Sequence, residues 1–274
     1  MDMIETVLYS IPQSETNSEL IDCDWNDNYG LLAVIEKNKK LIIQIGDRQL
    51  SLDIHCDYPL IRWIDSTHFL IADTRNDGTR KNLHILNTNG EIQNSFNGGD
   101  GIQDIVASEE GIWISYFDEG VFGSGISTEG LVLFSYDGTP EFKYHSELID
   151  GPPIAECYAI GKAGSSLLWL FPYTDFPLIC VNPVEKTLIS YEVPEVLHGS
   201  NAICVRGFYA YFYEPYHSEG ELYCWKIGKS KPEIIGEIPG RVRGLATREA
   251  NHFISMHEHQ IRVYRIVNQG ETEY

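Results

Sequence analysis

Basic residues are scarce in this chain. Its 274 residues contain 20 Lys and Arg against 40 Asp and Glu, which gives a formal net charge of −20 and an isoelectric point of about 4.7. A protein that holds phosphates needs a cationic surface, and this one repels polyanions. The composition therefore argues against direct binding to nucleic acid or to an anionic membrane surface.

The sequence also lacks an export signal and long hydrophobic runs. Its start, MDMIETVLYSIPQ, carries acids where a signal peptide carries Lys or Arg, and it has no continuous apolar stretch. No segment reaches the roughly 18 apolar residues that span a bilayer. These absences predict a cytoplasmic protein with no membrane partner.

Paired cysteine motifs are absent as well. None of the six cysteines is spaced as CxxC, and four lie in apolar runs such as PLICV and ELYCWKI. Cysteine behaves as a small hydrophobic residue in such a setting. We therefore expect reduced thiols, which agrees with a cytoplasmic location.

Helical periodicity is nearly absent, and what replaces it is a repeat of short β-type runs. Segments rich in Val, Ile, Leu, Tyr and Phe recur about every 8 to 12 residues, with Gly, Asn, Asp or Pro between them. A repeat of about 40 to 50 residues with four strands is typical of a propeller blade. The runs group in fours over residues 20–54, 60–96, 102–145, 154–193 and 201–238.

The sixth group is incomplete at the end of the chain and is completed by its start. Residues 241–267 offer three strands, and IETVLYSI at residues 4–11 is an isolated strand ahead of the first group. Pairing the two closes the ring and removes exposed sheet edges. We predict an all-β, six-bladed β-propeller with four-stranded blades, formed as a single domain over residues 1–274.

On these repeats the whole chain resembles the six-bladed β-propellers. It departs from the propeller subfamilies that carry sequence labels, since it has no WD dipeptide and only one Gly-Gly pair of the kelch kind, at residues 98–99. The resemblance implies that the loops after the second and fourth strands of every blade share one rim. Function is therefore sought in those loops.

An acidic residue follows the second strand of every predicted blade, often beside an aromatic one. The longest such loop, residues 117–130, is Gly-rich and combines three acids with two Phe. Long loops in compact domains are often functional, and aromatic side chains anchor binding hot spots. The candidate partner-binding residues are Asp73, Asp77, Phe117, Asp118, Glu119, Phe122, Glu129, Tyr173, Asp175, Glu214, Tyr216, Glu219 and Glu258.

Two alternatives to this candidate site stay open. In the first, the acids are solvated turn residues, because Asp is favoured in turns for backbone reasons. The opposite rim also carries acids in its predicted turns. They are Asp47, Asp65, Glu109, Glu110 and Glu185.

Motifs of catalysis and metal binding are missing or incomplete. There is no GxSxG sequence of a nucleophilic serine. The loop that begins at Asp73 starts like an EF-hand calcium loop, but Arg75 stands at a position where that loop needs a calcium ligand. His257 and His259 could lie on one side of a strand, but no third metal ligand is evident. We predict no catalytic residue, no metal and no cofactor.

The propeller resemblance implies one enzymatic alternative. Six-bladed propellers include metal-dependent lactonases and other hydrolases, which hold a divalent cation on the ring axis. In this chain such a site would need carboxylates from several blades to converge, and the analogy is one of fold alone. The candidate ligands are Asp73, Asp118, Asp175 and Glu258.

Charge indicates the leading function. A rigid acidic ring suits the capture of a basic protein, and toxic nucleases are basic because they bind phosphates. In charge, fold and lack of catalytic motifs the chain is similar to the immunity proteins encoded beside bacterial toxins. That similarity implies a non-catalytic inhibitor, monomeric when free, whose rim covers a toxin's active site. A scaffold for another protein assembly is a further alternative.

Overall fold

The computed structural model of the protein describes residues 1–12, 14–15, 17–162 and 167–267. The chain begins with β1 (Asp2–Ser10). Blade 1 contains β2 (Ser18–Asn26), β3 (Gly30–Lys37), β4 (Lys40–Ile45) and β5 (Arg48–Ser51). Blade 2 contains β6 (Pro59–Trp63), β7 (His68–Asp73), β8 (Leu83–Asn87) and β9 (Ile92–Phe96). Blade 3 contains β10 (Ile102–Ser108), β11 (Gly111–Tyr116), β12 (Leu131–Phe134) and β13 (Pro140–Lys143).

The second half of the ring repeats this plan. Blade 4 contains β14 (Glu156–Lys162), β15 (Leu168–Tyr173), β16 (Leu178–Asn182) and β17 (Thr187–Tyr191). Blade 5 contains β18 (Ala202–Arg206), β19 (Tyr209–Glu214), β20 (Glu221–Lys226) and β21 (Glu233–Glu237). Blade 6 contains β22 (Arg241–Gly244), β23 (His252–His257), β24 (Gln260–Val267) and the first strand, β1.

Helical segments are short. They are α1 (Asp118–Val121), α2 (Tyr144–Glu147) and the 3₁₀ turns Gly125–Glu129 and Glu195–Leu197. Over the described residues, no helix is long and apolar enough to cross a membrane.

The ring closes through its first strand. β1 lies antiparallel to β24, with Asp2 opposite Val267 and Ser10 opposite Gln260. The strand order in this sheet, β1-β24-β23-β22, makes β1 the outermost strand of blade 6. The predicted fold class, including closure by the N-terminal strand, is confirmed. That residues 1–274 form one domain stays a prediction.

Blades pack face to face, which explains why their strands read as apolar runs rather than as alternating patterns. All six residues of β11 are buried, because neighbouring sheets cover both of its faces. Between blades 4 and 5 the rings of Phe171 and Phe212 meet edge to face with centroids 5.1 Å apart. Outermost strands such as β17 are half-exposed.

All six cysteines are free thiols, and five of them are buried in these interfaces. Burial raises the pKa of Cys180 and of Cys224 to about 11. Such thiols are protonated at neutral pH and are poor nucleophiles. Their role is packing, as the sequence predicts.

Successive strands of a blade run in opposite directions, so its connections divide between two faces of the ring. The connections from second to third strand, and from fourth strand to the next blade, emerge on one face, which we call the loop face. The remaining turns emerge on the other, which we call the turn face.

Candidate functional site

Backbone hydrogen bonds extend the strands of blades 2 and 3 onto the loop face, and the bond between Ile102 and Thr74 joins the two blades. The amide of Thr74 donates to the carbonyl of Tyr58 at 3.0 Å, and that of Ile102 donates to the carbonyl of Thr74 at 3.0 Å. The amide of Phe117 donates to the carbonyl of Gly101 at 2.9 Å. These bonds make the loops of blades 2 and 3 parts of one surface.

The long loop at residues 117–130 is fixed on both sides. On its inner side Gly101, with φ 68°, lies so close to Gly120 that a Cβ atom would come within 2.6 Å of the Gly120 nitrogen. On its outer side the Glu129 carboxylate accepts hydrogen bonds from the Ser146 amide at 2.9 Å and from its hydroxyl at 2.5 Å. The loop therefore offers a preformed surface.

Two candidate residues, Asp73 and Glu214, are buried. The Asp73 carboxylate accepts hydrogen bonds from the amides of Asp57 and Tyr58, each at 3.2 Å. The Glu214 carboxylate is 1% exposed and accepts from the three consecutive amides of residues 216–218 at 2.7, 2.8 and 3.0 Å. Both carboxylates shape loops, so any part they have in binding is through the loops they hold.

Glu119 and Phe117 are engaged with blade 2. The Arg75 guanidinium forms an ion pair with the Glu119 carboxylate, and its central carbon lies 5.6 Å from the centroid of the Phe117 ring. Arg75 also pairs with Asp100 at 3.2 Å. Glu119 is thus partly neutralised, whereas the adjacent Asp118 has no cationic partner among the described residues.

Most of the other candidates are exposed. Phe122 is 75% exposed and Tyr216 is 69% exposed, which is unusual for large apolar side chains. The exposed candidates are Asp77, Asp118, Glu119, Phe122, Tyr173, Asp175, Tyr216, Glu219 and Glu258.

Charge on the loop face is concentrated in blades 3, 4 and 5. Five of their loops, residues 117–130, 144–155, 174–177, 192–201 and 215–220, contain no Lys or Arg, and we call them the acidic sector. The loops of blades 1 and 2 on the same face carry Lys39, Arg75, Arg80 and Lys81. The nine acids of the sector are Asp118, Glu119, Glu129, Glu147, Asp150, Asp175, Glu192, Glu195 and Glu219.

An aromatic groove lies within this sector, between blades 4 and 5. Tyr158 stacks on Tyr173 with ring centroids 6.2 Å apart, and Phe176 meets both rings edge to face at 5.3 and 5.4 Å. His198 stacks on Phe176 at 5.1 Å. The groove encloses about 800 Å³, and its lining includes Tyr158, Phe176, Glu195, His198, Tyr216 and Tyr223.

The sequence identified Tyr173 and Tyr216 but missed Tyr158, Phe176 and His198. Phe176 follows directly on a candidate carboxylate in the same loop, so its aromatic character was a usable signal. Tyr158 stands near the start of an innermost strand. The connection from blade 3 to blade 4 emerges on the loop face, so the start of that strand lies there as well.

Two carboxylates, those of Asp118 and Glu156, come from α1 and β14, two elements in contact beside the groove. Burial raises the pKa of Glu156, the first residue of β14, and the nearby Asp118 carboxylate raises it further. Burial likewise raises the pKa of Tyr158, with Glu156, Tyr216, Tyr173 and Asp118 adding to the shift. The two acids, Glu156 opposite Tyr173 at the start of β14 and Asp118 at the start of the adjoining α1, therefore lie on neighbouring elements. In the part of the chain that the structure describes, neither forms an ion pair with Lys or Arg.

This proximity makes a prediction about pH. We expect Asp118→Asn to lower the pKa of Glu156, because it removes a neighbouring negative charge. Carbon-detected NMR titration of the glutamate carboxyl groups measures the change, with Asp175→Asn as the control. An unchanged Glu156 pKa in Asp118→Asn would show that the two carboxylates do not interact.

The same raised pKa has a consequence for stability. A carboxyl whose pKa is higher in the folded than in the unfolded state favours folding at low pH, and that contribution is lost as pH rises through the folded-state pKa. Glu156→Gln should therefore flatten the decline in unfolding free energy as the pH rises from the ordinary glutamate pKa through the raised pKa of Glu156. Urea denaturation at a series of pH values tests it.

Arginines occupy the axis of the ring. Arg62 of β6 is buried, and its guanidinium pairs with Asp22 and with Asp104, each at 2.5 Å. Arg243 of β22 pairs with Asp24 at 2.7 Å. Burial by itself lowers the pKa of Arg62, but the Asp22 and Asp104 carboxylates raise it above the ordinary value. The innermost strands of blades 1, 2, 3 and 6 are thus linked by ion pairs.

This arrangement does not provide ligands for the divalent cation that the enzymatic alternative places on the ring axis. Within residues 1–12, 14–15, 17–162 and 167–267, no group of three or more His, Cys, Asp or Glu side chains is placed to hold a metal ion. The two histidines also differ from the sequence expectation. β23 ends at His257, and Glu258, with φ 54°, forms a turn with His259, so the two imidazoles do not share one side of a strand.

No protein-family model matches the sequence, and no curated protein matches it. Solved structures are similar in fold. A catalytically inactive virginiamycin B lyase from Staphylococcus aureus with quinupristin aligns over 97% of this chain and 100% of its own, with a TM-score of 0.60 and 10% identity. YCF48 bound to D1 peptide aligns over 98% of both chains, with a TM-score of 0.54 and 10% identity. The AfRom2 CNH domain aligns over 97% of this chain and 99% of its own, with a TM-score of 0.52 and 12% identity.

These similarities establish a propeller fold and no activity, because one fold hosts many functions. The choice of function therefore depends on the loop face.

Proposed function

We propose that this protein is a non-catalytic, cytoplasmic binding protein that captures a basic protein on the acidic sector of its loop face. The charge distribution carries the proposal. Five loops from three adjacent blades hold nine carboxylates and no Lys or Arg, in a chain of net charge −20. Such a field accelerates association with a cationic partner and disfavours anionic ones.

The partner we propose is a toxic nuclease, and the protein would then be its immunity protein. A nuclease presents cations where it holds substrate phosphates, so exposed carboxylates such as Asp118, Asp175 and Glu219 are suited to occupy those positions. Exposed aromatic side chains beside them, Phe122 and Tyr216, are suited to anchor the centre of an interface. The ring would block the active site by covering it.

The rigidity of the loop face supports this proposal. Gly101 lies against Gly120, and Glu129 bonds to Ser146, so the long loop is ordered before any partner arrives. A preformed surface loses little conformational entropy on binding, and that favours tight inhibition.

Affinity capture tests the proposal. The whole protein is immobilised, exposed to lysate of the source organism at low salt, and eluted with rising salt for mass spectrometry. We expect a basic nuclease that is retained by the wild type and lost with Asp118→Lys/Asp175→Lys/Glu195→Lys, which we call the loop-face variant. An equimolar amount of the protein should abolish that nuclease's activity.

Two results would contradict the proposal. Retention of no basic protein would contradict capture itself. A nuclease that stays active when saturated with the propeller would contradict the immunity role. A retained basic partner without nuclease activity would favour the scaffold alternative.

A further inference from the structure

We propose that the aromatic groove receives an arginine side chain of the basic partner, with its guanidinium stacked on the groove's rings and paired with the Asp118 and Glu156 carboxylates. This inference rests on the proposed function in that the partner is basic. It goes further by specifying the residue that the groove recognises.

The groove offers ring faces that the fold leaves uncovered. Tyr216, which lines the groove, is 69% exposed, and Tyr173, which stacks on Tyr158, is 43% exposed. The Phe176 ring at the base is held by edge contacts from Tyr158 and by stacking of His198. A flat group entering the groove therefore meets rings that are already oriented.

The two carboxylates select a cation for that position. Glu156 lies opposite Tyr173 in the sheet, and α1, which begins at Asp118, contacts the same strand, so a cation between the two carboxylates would relieve the repulsion that raises the pKa of Glu156. Elsewhere in the acidic sector, Arg75 neutralises Glu119 and Lys186 neutralises Glu147. Among the described residues, Asp118 and Glu156 have no such ion pair with Lys or Arg. An anionic or neutral occupant would leave that repulsion in place.

Arginine fits this combination better than lysine. Guanidinium is planar and weakly hydrated, so it stacks on an aromatic ring while its edge donates two parallel hydrogen bonds to a carboxylate. The lysine ammonium is compact and strongly hydrated, and it gains less from a ring face. A groove of about 800 Å³ has room for the side chain.

Two capped tripeptides test the inference without the natural partner. Acetyl-Gly-Arg-Gly-amide and acetyl-Gly-Lys-Gly-amide are titrated into the whole protein, and binding is followed by amide chemical shifts. We expect the arginine peptide to bind about threefold to tenfold more tightly than the lysine peptide, with shifts confined to the groove. Tyr216→Ala and Glu156→Gln should each lower arginine affinity by about threefold or more.

Glu185→Gln is the matched control, because Glu185 is an exposed acid in a turn of blade 4 on the turn face. It should bind both peptides as the wild type does. Tyr216 and Glu156 are at least partly exposed, and thermal melts confirm that their variants are folded.

The inference is overturned if the two peptides bind equally, if neither binds at about 5 mM, or if Tyr216→Ala leaves the arginine preference unchanged. Its failure is distinguishable from failure of the proposed function. Equal peptide binding together with salt-sensitive capture of a basic nuclease would contradict the arginine inference and support the proposed function. An arginine preference without any captured nuclease would support the arginine inference and contradict the proposed function.

Discussion

Replacing Arg62 with methionine is expected to lower the unfolding free energy by about 3–5 kcal/mol. The substitution keeps most of the side-chain volume but leaves the Asp22 and Asp104 carboxylates, both largely buried, without their cation. Breaking a buried ion pair by removing one partner is costly, because the remaining charge cannot be solvated. The effect is large because the arginine links three blades.

Urea denaturation of the purified variant measures the loss, and Arg75→Met is the control. Arg75 also pairs with two carboxylates, those of Asp100 and Glu119, but its side chain is 44% exposed. Water can replace the lost ion pairs there, so the control should lose less than about 1 kcal/mol. Similar losses of unfolding free energy in the two variants would show that the axial ion pairs contribute no more to stability than the exposed ones.

A rescue variant separates charge from packing. In Arg62→Met/Asp22→Asn/Asp104→Asn the uncompensated negative charges are removed, so much of the lost stability should return. Recovery will be incomplete, because the Arg62 guanidinium also donates hydrogen bonds to the carbonyls of Ile105 at 3.0 Å and Ile61 at 2.6 Å, and methionine cannot replace them. No recovery at all would mean that the arginine acts through its packing or through its bonds to backbone carbonyls.

The fold could be predicted from the sequence because its information is local and repeated. Short apolar runs with turns between them mark each strand, and the isolated run at residues 4–11 can be paired only with the incomplete last group. The structure places β1 beside β24 for that reason. Ring closure can therefore be predicted by counting the strands in each group.

The axial ion pairs had a signal that went unused. Asp22 and Asp24 alternate along β2, and Arg62 interrupts the apolar run LIRWI of β6. Alternate residues of a strand point to one side, so charged residues at these positions on innermost strands face the axis. A charge inside an apolar strand indicates a buried partner.

The roles of the loop carboxylates could not be predicted from sequence. Asp73 is the last residue of a second strand and Asp118 lies just beyond one, yet Asp73 is buried and Asp118 is exposed. The difference depends on whether neighbouring amides turn toward the carboxylate, as those of Asp57 and Tyr58 do for Asp73. Such contacts join residues that are far apart in sequence, and spacing does not reveal them.

The loop-face variant, Asp118→Lys/Asp175→Lys/Glu195→Lys, is expected to slow association with the captured basic partner by about 10- to 100-fold at low salt. These three acids are exposed and lie in three separate loops of the acidic sector. Glu119 is left unchanged because Arg75 already partly neutralises it. Stopped-flow kinetics at a series of salt concentrations measures the association rate constant, whose salt dependence should also weaken.

The matched control reverses three exposed acids on the turn face, in Asp47→Lys/Glu109→Lys/Glu185→Lys. Both variants change the net charge by +6, from −20 to −14, so they differ only in where the charges lie. At about 0.1 M salt in that series the screening length is about 10 Å, so charges on the far face contribute little to a contact on the loop face. We therefore expect the control to slow association by about twofold or less. If the two variants slow association equally, the partner responds to the total charge of the protein. If the control variant associates more slowly than the loop-face variant, the partner binds the turn face.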